Sequence, residues 1–529
     1  MTTTISLLLK GSKLFLSHFA CYNSICVFLV RTQIYLSEVI ELPSMASETK
    51  PLDQNGKPYN RLALVFTLLV GTFSTFLTST MLTTAFPTLM KSFNISANTV
   101  QWLTTGFMLM MGITIPITGF FLRRFDSRKL YLSAMLIFLV GTVVCYFAQT
   151  FYTILAGRLV MAVGVGVASP VYQTIMTSIF PPSQRGAAMG SAGLVIGLAP
   201  AIGPTFSGWI LIHYSWRMLF LSIMPISIIV IILGSITLRK VLPTKDAPID
   251  WFSVLLSVVG FGTMLFGFSM VGSYNWSDPI VYVSLVVGVV VIALFIQRSL
   301  KIKNPLLQFN VFKSPAFTLS CILVAVSFML MNGFTLVLPL YLQTVGGESP
   351  LASGLTLFPG AIVIGVMNPI TGRIFDRLGA RNMAITGMFL LTITTAAFIP
   401  ITSNTPILYI VCLYMVRMFG ISMTMMPVTT TGMNALPLTL IGDGTVVNNT
   451  ARQVFASMGT AVLVSVMSNV TMNHVPSSAI AKATPIAYRH LALNANVLGF
   501  RYAFAIATIF AFVGFALTFL LKKDERRWD

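Results

Sequence analysis

The chain has 529 residues, of which 56% are hydrophobic and 9% charged, and its mean hydropathy is +0.86. Soluble domains carry about 25% charged residues, so a chain this long with so few cannot cover several soluble cores with a solvated surface. The sequence therefore predicts a protein that crosses the membrane many times. Its formal net charge of +19 also suggests a polyanion-binding surface, and the distribution of the charges decides between the two interpretations.

The first 60 residues are predicted to form an extension followed by a polar tail. Residues 6–30 are only moderately apolar, because Lys10, Lys13 and His18 interrupt them. They have two interpretations, a fifteenth helix or a segment outside the native protein. We favour the second for residues 1–44, with Met45 as the candidate start, because the residues that follow have the composition of a short cytoplasmic tail.

Fourteen apolar stretches follow, each near the length of about 20 residues that a helix needs to cross a bilayer core. Charged or Pro/Gly/Asn-rich turns separate them. They occupy residues 62–83, 100–121, 130–149, 152–174, 186–211, 216–237, 251–272, 279–297, 316–341, 354–373, 383–400, 406–430, 444–469 and 500–521. The one sizeable outer segment, residues 470–499, is predicted to be a disordered loop, with a lid as the alternative.

The Lys and Arg residues fall mainly on one side of this arrangement. If the amino terminus is cytoplasmic, 22 of the 33 lie in inner segments, while the outer segments hold Lys91, Arg217, Lys482, Arg489 and Arg501. The positive-inside rule describes this excess of basic residues in cytoplasmic segments. The net charge therefore indicates topology rather than nucleic-acid binding, and both termini are predicted to be cytoplasmic.

An internal repeat divides the apolar stretches into two sets. The tetrapeptide PITG at 116–119 recurs at 369–372, and each copy closes the second helix of a set of six. The sequence therefore predicts an all-α integral membrane fold of 14 transmembrane helices: two six-helix bundles, residues 61–240 and 315–521, a two-helix insert at 250–298 and a cytoplasmic tail at 522–529. Paired bundles of this kind hold their substrate near the midplane between them.

Three motifs carry a resemblance to a known family. GRIFDRLGAR at 372–381 resembles the loop motif GxLaDRxGrk, RLVMAVG at 158–164 resembles RxxqGxg, and GPTFSG at 203–208 resembles GPxxGG. From about residue 62 to 521 the chain resembles the major facilitator superfamily, specifically its fourteen-helix drug:proton antiporter branch of bacterial multidrug exporters. The resemblance implies a secondary transporter of the cell membrane that exports lipophilic or amphipathic drug-like compounds by alternating access, coupled to protons.

Two other functions stay open: a facilitator or importer of a small metabolite on the same fold, and a non-transporting membrane sensor. An enzyme is not expected, because no cluster of His, Asp and Cys occurs at membrane depth. The five cysteines are scattered, so no metal site or cofactor is predicted. The expected partners are the lipid bilayer, a small-molecule substrate and protons, without nucleic acid. The sequence does not indicate an oligomeric state, and a monomer is sufficient.

Candidate functional residues fall into three groups. Charged residues in spans or at their ends are candidates for proton coupling or gating: Arg158, Asp126, Asp376, Arg377, Arg381, Arg452 and Asp443. The residues of the exporter-type motif allow close helix packing and bending: Gly197, Pro200, Gly203, Pro204 and Gly208. Uncharged polar residues are candidates for a substrate cavity: Gln101, Gln173, Asn332, Asn368 and Asn448.

The resemblance also assigns roles and exposes two departures from the family pattern. It links Arg158 to proton transfer and makes Asp376, with Arg377 and Arg381, a charge clasp. In the first copy of the loop motif, however, Arg123 stands where the family usually has Asp. In the first helix Thr78 stands where the family often has a carboxylate, and no carboxylate falls in the middle of a predicted span. Proton coupling would then depend on carboxylates at helix ends or in loops: Asp126, Asp376, Asp443 or Glu348.

Overall fold

The computed structural model describes residues 51–244, 249–271, 274–302, 304–476 and 485–521. The expectations for residues 1–44, for Met45 as the start and for the tail at 522–529 lie outside these residues. Within the described ranges the chain is helical, and its extended pairing is confined to one isolated bridge between Leu52 and Pro58.

The described ranges contain fourteen helices of 17 to 34 residues, which lie within or close to the predicted apolar stretches. They are α1 (Arg61–Met81), α2 (Ala97–Arg124), α3 (Ser127–Tyr146), α4 (Phe151–Ile179), α5 (Arg185–His213), α6 (Arg217–Thr237), α7 (Trp251–Met270), α8 (Pro279–Lys301), α9 (Pro315–Thr344), α10 (Pro350–Leu378), α11 (Ala380–Ala396), α12 (Ile407–Asn434), α13 (Ile441–His474) and α14 (Pro485–Thr518). A short helix, Phe86–Phe93, continues α1 after a turn of 3-10 helix.

Length and composition make twelve of the helical stretches candidate membrane spans. Hydrocarbon offers no partner to backbone amides, so an apolar chain at membrane depth must satisfy them within helices. Two helices do not meet this criterion: α11 is only 17 residues long, and the apolar stretch found in α5 is Arg185–Ala199. The predicted all-α, multi-pass membrane fold is confirmed, whereas the count of fourteen spans stays a prediction.

The helix starts are encoded locally by side chains that cap the first free amides. Asn60 accepts a hydrogen bond from the Ala63 amide before α1, Ser96 from the Thr99 amide before α2, and Thr150 from the Thr153 amide before α4. Ser314 and Ser349 act in the same way before α9 and α10. Short polar residues between apolar runs therefore mark the boundaries, as expected for N-caps.

The predicted disordered loop at 470–499 is the clearest error of the sequence analysis. Helix α13 continues to His474, α14 already begins at Pro485, and only residues 477–484 of this segment lie outside the described residues. The early part of α14 packs on α13: Ala495 and Val497 are buried, and the Thr471 hydroxyl donates to the Ala495 carbonyl at 3.5 Å. Helix pairing thus extends beyond the apolar stretch from which the span was predicted.

The first six helices and the last six pack in the same pairs. In the first set α1 packs on α5 and α6, α4 on α2 and α3, and α3 on α6. In the second set α9 packs on α13 and α14, α12 on α10 and α11, and α11 on α14. These pairs correspond one to one when α1 is matched with α9, which is the relationship predicted from the repeated tetrapeptide.

Two seams join the sets, α2 against α13 and α5 against α10. The glycine that ends each copy of the tetrapeptide lies in one of them. A Cβ at Gly119 would lie 3.6 Å from Val446 Cγ1 of α13, and one at Gly372 would collide with the Gly186 carbonyl of α5. The glycine of each repeated tetrapeptide therefore allows close contact between the two sets of helices.

Helices α7 and α8 form a hairpin that lies against the α2/α13 seam. Arg298 at the end of α8 donates two hydrogen bonds, at 2.8 and 3.0 Å, to Asp250, which precedes α7. These bonds, together with one from Ser253, lower the pKa of Asp250 to about 2. Trp102 of α2 stacks on Phe266 of α7 at 6.2 Å. Helix α8 is farther out, with its valines largely exposed, as expected for a helix that faces lipid.

One end of the bundle, which we call the N-terminal face, contains the start of α1 and the end of α2. Backbone and side-chain contacts bring several segments together there: Gln54 bonds to the Lys240 carbonyl, Ser127 to the Arg239 carbonyl, and Arg61 lies over the Phe180 ring. The opposite face contains Arg217, which donates to the Ala148 carbonyl, and Arg501, which donates to the Ile401 carbonyl.

The glycines of the exporter-type motif in α5 differ in what surrounds them, and this predicts opposite effects of substitution. A Cβ at Gly203 would collide with Thr80 Oγ1 of α1 and lie 3.2 Å from the Met81 amide nitrogen, whereas one at Gly208 would meet nothing within 4 Å. We expect Gly203→Ala to lower the free energy of unfolding by about 1–3 kcal/mol through overpacking. Gly208→Ala should be neutral or stabilise by up to about 1 kcal/mol through helix propensity.

Thermal unfolding of the detergent-solubilised protein, followed by the fluorescence of a thiol-reactive dye, measures the difference between these two variants. A midpoint that is unchanged in Gly203→Ala, or lowered equally in both, would contradict the close α1/α5 packing at Gly203. The pair is matched because both substitutions add one methyl group to the same helix.

Candidate functional site

An ion pair closes the α2/α13 seam at the N-terminal face. Arg123 Nη1 donates to Asp443 Oδ1, and Arg123 Nη2 donates to the carbonyls of Pro305 and Leu306 in the segment between α8 and α9. The Gln308 amide also donates to Asp443 Oδ1, at 3.2 Å. The Asp443 side chain is 1% exposed and that of Arg123 is 26% exposed. We call Arg123, Asp443 and the segment 305–308 the clasp.

The second seam is also closed at this face by polar contacts of uncharged groups and Arg185. Arg185 at the start of α5 donates to Asn434 Oδ1 at the end of α12, at 2.8 Å. Deeper in the seam, Asn368 of α10 donates to the Gly193 carbonyl of α5 at 2.8 Å. Gly197 lies against Ile364 of α10, whose Cγ2 would be 3.0 Å from a Cβ at that position. Both seams are thus tightly packed toward the N-terminal face.

Contacts between the two sets continue toward the middle of the membrane. Asn449 of α13 donates to Gln173 Oε1 of α4 at 2.8 Å, and both side chains are buried. Gln453, one turn later, donates to the Met108 carbonyl of α2 at 3.1 Å. With a rise of about 1.5 Å per residue, Asn449 and Gln453 lie about 12 and 18 Å along α13 from its start. Helix α13 therefore contacts two helices of the first set, α2 and α4, along several of its turns.

Arg158 is fully buried in the first set among backbone oxygens and one aromatic ring. Its Nε donates to the Leu103 carbonyl and its Nη1 to the Thr78 carbonyl, each at 3.2 Å. The guanidinium carbon lies 4.1 Å from the centre of the Phe107 ring. Thr78 occupies the position where the family often has Asp, so the contact that Arg158 makes there is with backbone. A desolvated contact of this kind between a cation and a ring is worth about 2 kcal/mol.

Arg417 is the counterpart of Arg158 in the second set, since each arginine is on the fourth helix of its set. Its Nη2 donates to the Leu330 carbonyl of α9 at 3.0 Å, and its guanidinium carbon lies 3.8 Å from the centre of the Phe334 ring. Each arginine thus bonds to a backbone carbonyl of the first helix of its set. Charges held this way are costly to bury and are usually retained for function.

The other sequence-predicted site residues are dispersed. Asp126 is the N-cap of α3 and accepts from the Arg128 amide at 2.9 Å. Gln101 is exposed near the start of α2, and Asn332 donates to a carbonyl of its own helix, at Phe328. Arg381 is in the first turn of α11. The side chains of Pro200, Pro204, Asp376 and Arg377 lie outside the described residues, so the proposed clasp of the second motif copy stays a prediction.

The sequence analysis missed the partnership between Arg123 and Asp443. From the sequence, Arg123 is a departure from the family pattern, and Asp443 is one of several carboxylates at helix ends or in loops that are candidates for proton coupling. The sequence did contain a signal for this pair. A cation replaces the usual acid at the end of α2, and an acid occurs in the first turn of α13, the fifth helix of the other set. The α2/α13 seam follows from pairing the helices by the repeat, so this acid could have been assigned to Arg123.

The clasp predicts which change opens the N-terminal face. Asp443→Asn keeps an acceptor for the Gln308 amide but removes the charge that Arg123 pairs with, whereas Arg123→Lys keeps a cation at the other end. Loss of about 1.4 kcal/mol from the closed state would raise the open fraction about tenfold. We therefore expect Asp443→Asn to increase maleimide labelling of a cysteine placed at buried Thr445 about tenfold, in a background without the native cysteines.

Labelling in inside-out vesicles by a membrane-impermeant maleimide gives the measurement, and Arg123→Lys is the matched control, expected to stay close to the starting rate. Equal labelling rates in the parent and in Asp443→Asn would mean that the clasp does not hold this face closed.

The chain is similar to proteins that are named as membrane transporters. Residues 68–460 match the family model described as Major Facilitator Superfamily. A Bacillus subtilis protein named "Uncharacterized MFS-type transporter YcnB" is 48% identical, over 89% of this chain and 97% of its own length. "Lincomycin resistance protein LmrB" of the same organism is 39% identical, over 88% of this chain and 96% of its own. A "Multidrug resistance protein B homolog" of Mycobacterium tuberculosis is 28% identical, over 76% and 75%.

The fold is also found among solved structures. The crystal structure titled as the human organic anion transporter MFSD10 (TETRAN) matches 85% of this chain and 99% of its own with a TM-score of 0.60. The sequence identity is 14%, so this likeness supports the arrangement of the helices alone.

Proposed function

Because the chain belongs to the major facilitator superfamily of multi-pass membrane transporters, we propose that it exports lipophilic or amphipathic drug-like compounds across the cell membrane as a secondary active transporter. Two six-helix bundles, residues 61–240 and 315–521, open the space between them to one side of the membrane at a time. The insert at 250–298 covers one seam. The observation that carries this proposal is the clasp. It joins the two bundles at the N-terminal face through an ion pair and hydrogen bonds, which can break and re-form.

The proposed orientation puts fourteen spans in the membrane, with the N-terminal face and both termini in the cytoplasm. Basic residues support it. Arg61, Arg124, Arg128, Lys240 and Lys301 are among many at or near the N-terminal face, whereas the described basic residues near the opposite face are few: Lys91, Arg217, Arg489 and Arg501. In this orientation the structure is closed toward the cytoplasm, and the next step of export would release substrate outward.

Export of drug-like compounds has two supports. Two of the relatives are named for resistance, one of them to lincomycin. The close packing of Gly197 in α5 against α10 gives the exporter-type motif a contact between the bundles, while Gly203 packs against α1 of its own bundle. Methionine and aromatic side chains accept apolar ligands of varied shape.

Proton antiport is the proposed driving force, and Asp443 is the proposed carrier of the proton. It is buried in the clasp, so in antiport it would take a proton from the outer side while the N-terminal face is closed, lose its ion pair with Arg123, and release the proton to the cytoplasm once the bundles separate there. Facilitated diffusion of a small metabolite is the second candidate, and the absence of a carboxylate from the middle of the sequence-predicted spans favours it. The alternatives differ in whether a pH gradient drives accumulation.

Transport in inside-out vesicles separates the two candidates. With an acidic interior, an antiporter should accumulate a lipophilic dye above its equilibrium level and release it when an ionophore collapses the gradient. A facilitator should give the same final dye level with and without the gradient. Vesicles that contain Asp443→Asn provide the control, because they should keep equilibration of the dye but lose its gradient-driven accumulation. Accumulation by this variant equal to that of the parent would remove Asp443 from the coupling step.

Arg158 provides a second test of coupling. Arg158→Ala removes two bonds to backbone carbonyls and the contact with Phe107, each worth about 1–2 kcal/mol, so we expect gradient-driven uptake to fall at least about tenfold. Arg158→Lys keeps a cation and should retain part of the uptake. Exchange of dye at equal pH, with membrane insertion checked by immunoblot, is the comparison. Undiminished gradient-driven uptake by the alanine variant would exclude a role of Arg158 in transport.

A further inference from the structure

Arg452 differs from the other two buried arginines in its position. It is on α13, about 16 Å along the helix from its start, one turn from residues that contact the other bundle. Its Nη2 donates to Thr429 Oγ1 of α12 at 2.8 Å, and its guanidinium carbon lies 5.0 Å from the centre of the Phe328 ring. Its Nε is buried and donates to no group in the part of the chain that the structure describes. The side chain is 6% exposed.

Asn448 supplies an unused acceptor on the same face of α13. Residues four apart on a helix are neighbours, so its side chain and that of Arg452 project side by side. Asn448 is 2% exposed, and its Oδ1 accepts no hydrogen bond from the described residues. The adjacent Asn449 is occupied by Gln173 of the first bundle. A buried donor without an acceptor and a buried acceptor without a donor are each unfavourable, and a ligand that carried both groups would satisfy them.

The charge around Arg452 points to the chemistry of that ligand. The titratable side chains near the guanidinium are Tyr172 of α4 and Cys321 of α9, both of which are neutral at physiological pH. The carboxylates described by the structure lie at helix ends or in loops, and the nearest along α13 is Asp443, nine positions earlier, which Arg123 already pairs with. At membrane depth such a site attracts an oxygen acceptor or an anion and repels a cation.

We propose that Arg452 and Asn448 form the polar end of a substrate site: Arg452 donates to a carboxylate, sulfonate or carbonyl oxygen of an amphipathic compound, and Asn448 Oδ1 is available to an N–H or O–H group of the same compound. Phe328 and Tyr172 provide aromatic surface beside it for the apolar part of the ligand. This inference rests on the proposed export function and specifies its substrate class: the transported compounds are neutral or anionic at this end, and permanent cations are disfavoured.

Access to the site depends on the separation of the bundles. In this structure the hydrogen bonds from Asn449 to Gln173 and from Gln453 to Met108 hold α13 against α4 and α2 on either side of Arg452 along the helix. When the bundles part, these two bonds break and the face with Asn448 and Arg452 turns to the opening. The site is therefore available only in the part of the cycle in which a substrate can enter.

Three dyes with one fluorophore and different charges test the inference. Dansyl sulfonate is anionic, dansyl amide neutral and dansylcadaverine cationic at neutral pH, and the fluorescence of the fluorophore rises in an apolar site. Binding is titrated with the full chain in lipid nanodiscs, and empty nanodiscs provide the background. We expect dansyl sulfonate to bind at least about tenfold more tightly than dansylcadaverine, with dansyl amide between them.

Variants assign the preference to Arg452. Methionine has a similar volume to arginine but neither its charge nor its donors. Arg452→Met should therefore weaken the binding of dansyl sulfonate at least about tenfold, while the binding of dansylcadaverine should be unchanged or tighter. Arg452→Lys should restore part of the preference for the anion. Arg417→Met is the matched control, because it also removes a buried guanidinium. Arg417 is on α12, donates to the Leu330 carbonyl of α9, and lies twelve residues before Thr429 in the chain. Size-exclusion profiles and thermal midpoints exclude unfolded variants.

Three results would overturn the inference: tighter binding of the cationic dye, equal effects of Arg452→Met and Arg417→Met, or no effect of Arg452→Met. Binding in nanodiscs needs no gradient, so its outcome is independent of proton coupling. Binding with the expected charge preference, together with absent transport, would contradict the export function and leave the site standing.

Discussion

The ion pair between Arg123 and Asp443 is the charged contact that closes the α2/α13 seam between the two bundles. It joins helices whose contact residues are 320 positions apart in the chain, and it also holds the segment 305–308 that leads from the insert into the second bundle. A charge pair in a low-dielectric seam is strong while both partners are present and unfavourable when one is lost. Such a contact suits a face that must be either fully closed or fully open.

The remaining buried charges follow a different rule. Arg158 and Arg417 lie within their own bundles, against backbone carbonyls of α1 or α9 and against one phenylalanine ring each. These contacts do not cross a seam, so they persist when the bundles move as units. Arg452 combines the two situations, because its hydrogen bond to Thr429 is internal while its neighbours on α13 contact the first bundle. The buried charges thus form two groups: those that make contacts within one bundle, and those that lie at or beside the contacts between the two bundles.

Much of this fold could be predicted from the sequence, because each apolar stretch has to satisfy its backbone within a helix. The repeated tetrapeptide gave the correspondence between helices, and the helix pairs agree with it. The long reach of α13 and α14 could not be predicted, since residues such as Thr471 and Ala495 have weak hydropathy and are ordered by each other. Side-chain partners across the seams were also hidden, because Gln173 and Asn449 are unremarkable until the register of the two bundles is known.

Arg123 departs from the residue that the family motif has at this position, but the charged contact at the α2/α13 seam is kept. At this position the usual carboxylate would sit opposite the start of α13, where exposed helix amides favour a negative charge. In this chain the acid is on α13 itself, at Asp443, and the cation is on α2. The polarity of the contact is reversed while its location and its two helices are kept. A proton that reaches Asp443 from the outer side would therefore break this contact and open the N-terminal face, and its release to the cytoplasm would restore the charge with which Arg123 closes the face again. This coupling needs no carboxylate in the middle of a predicted span.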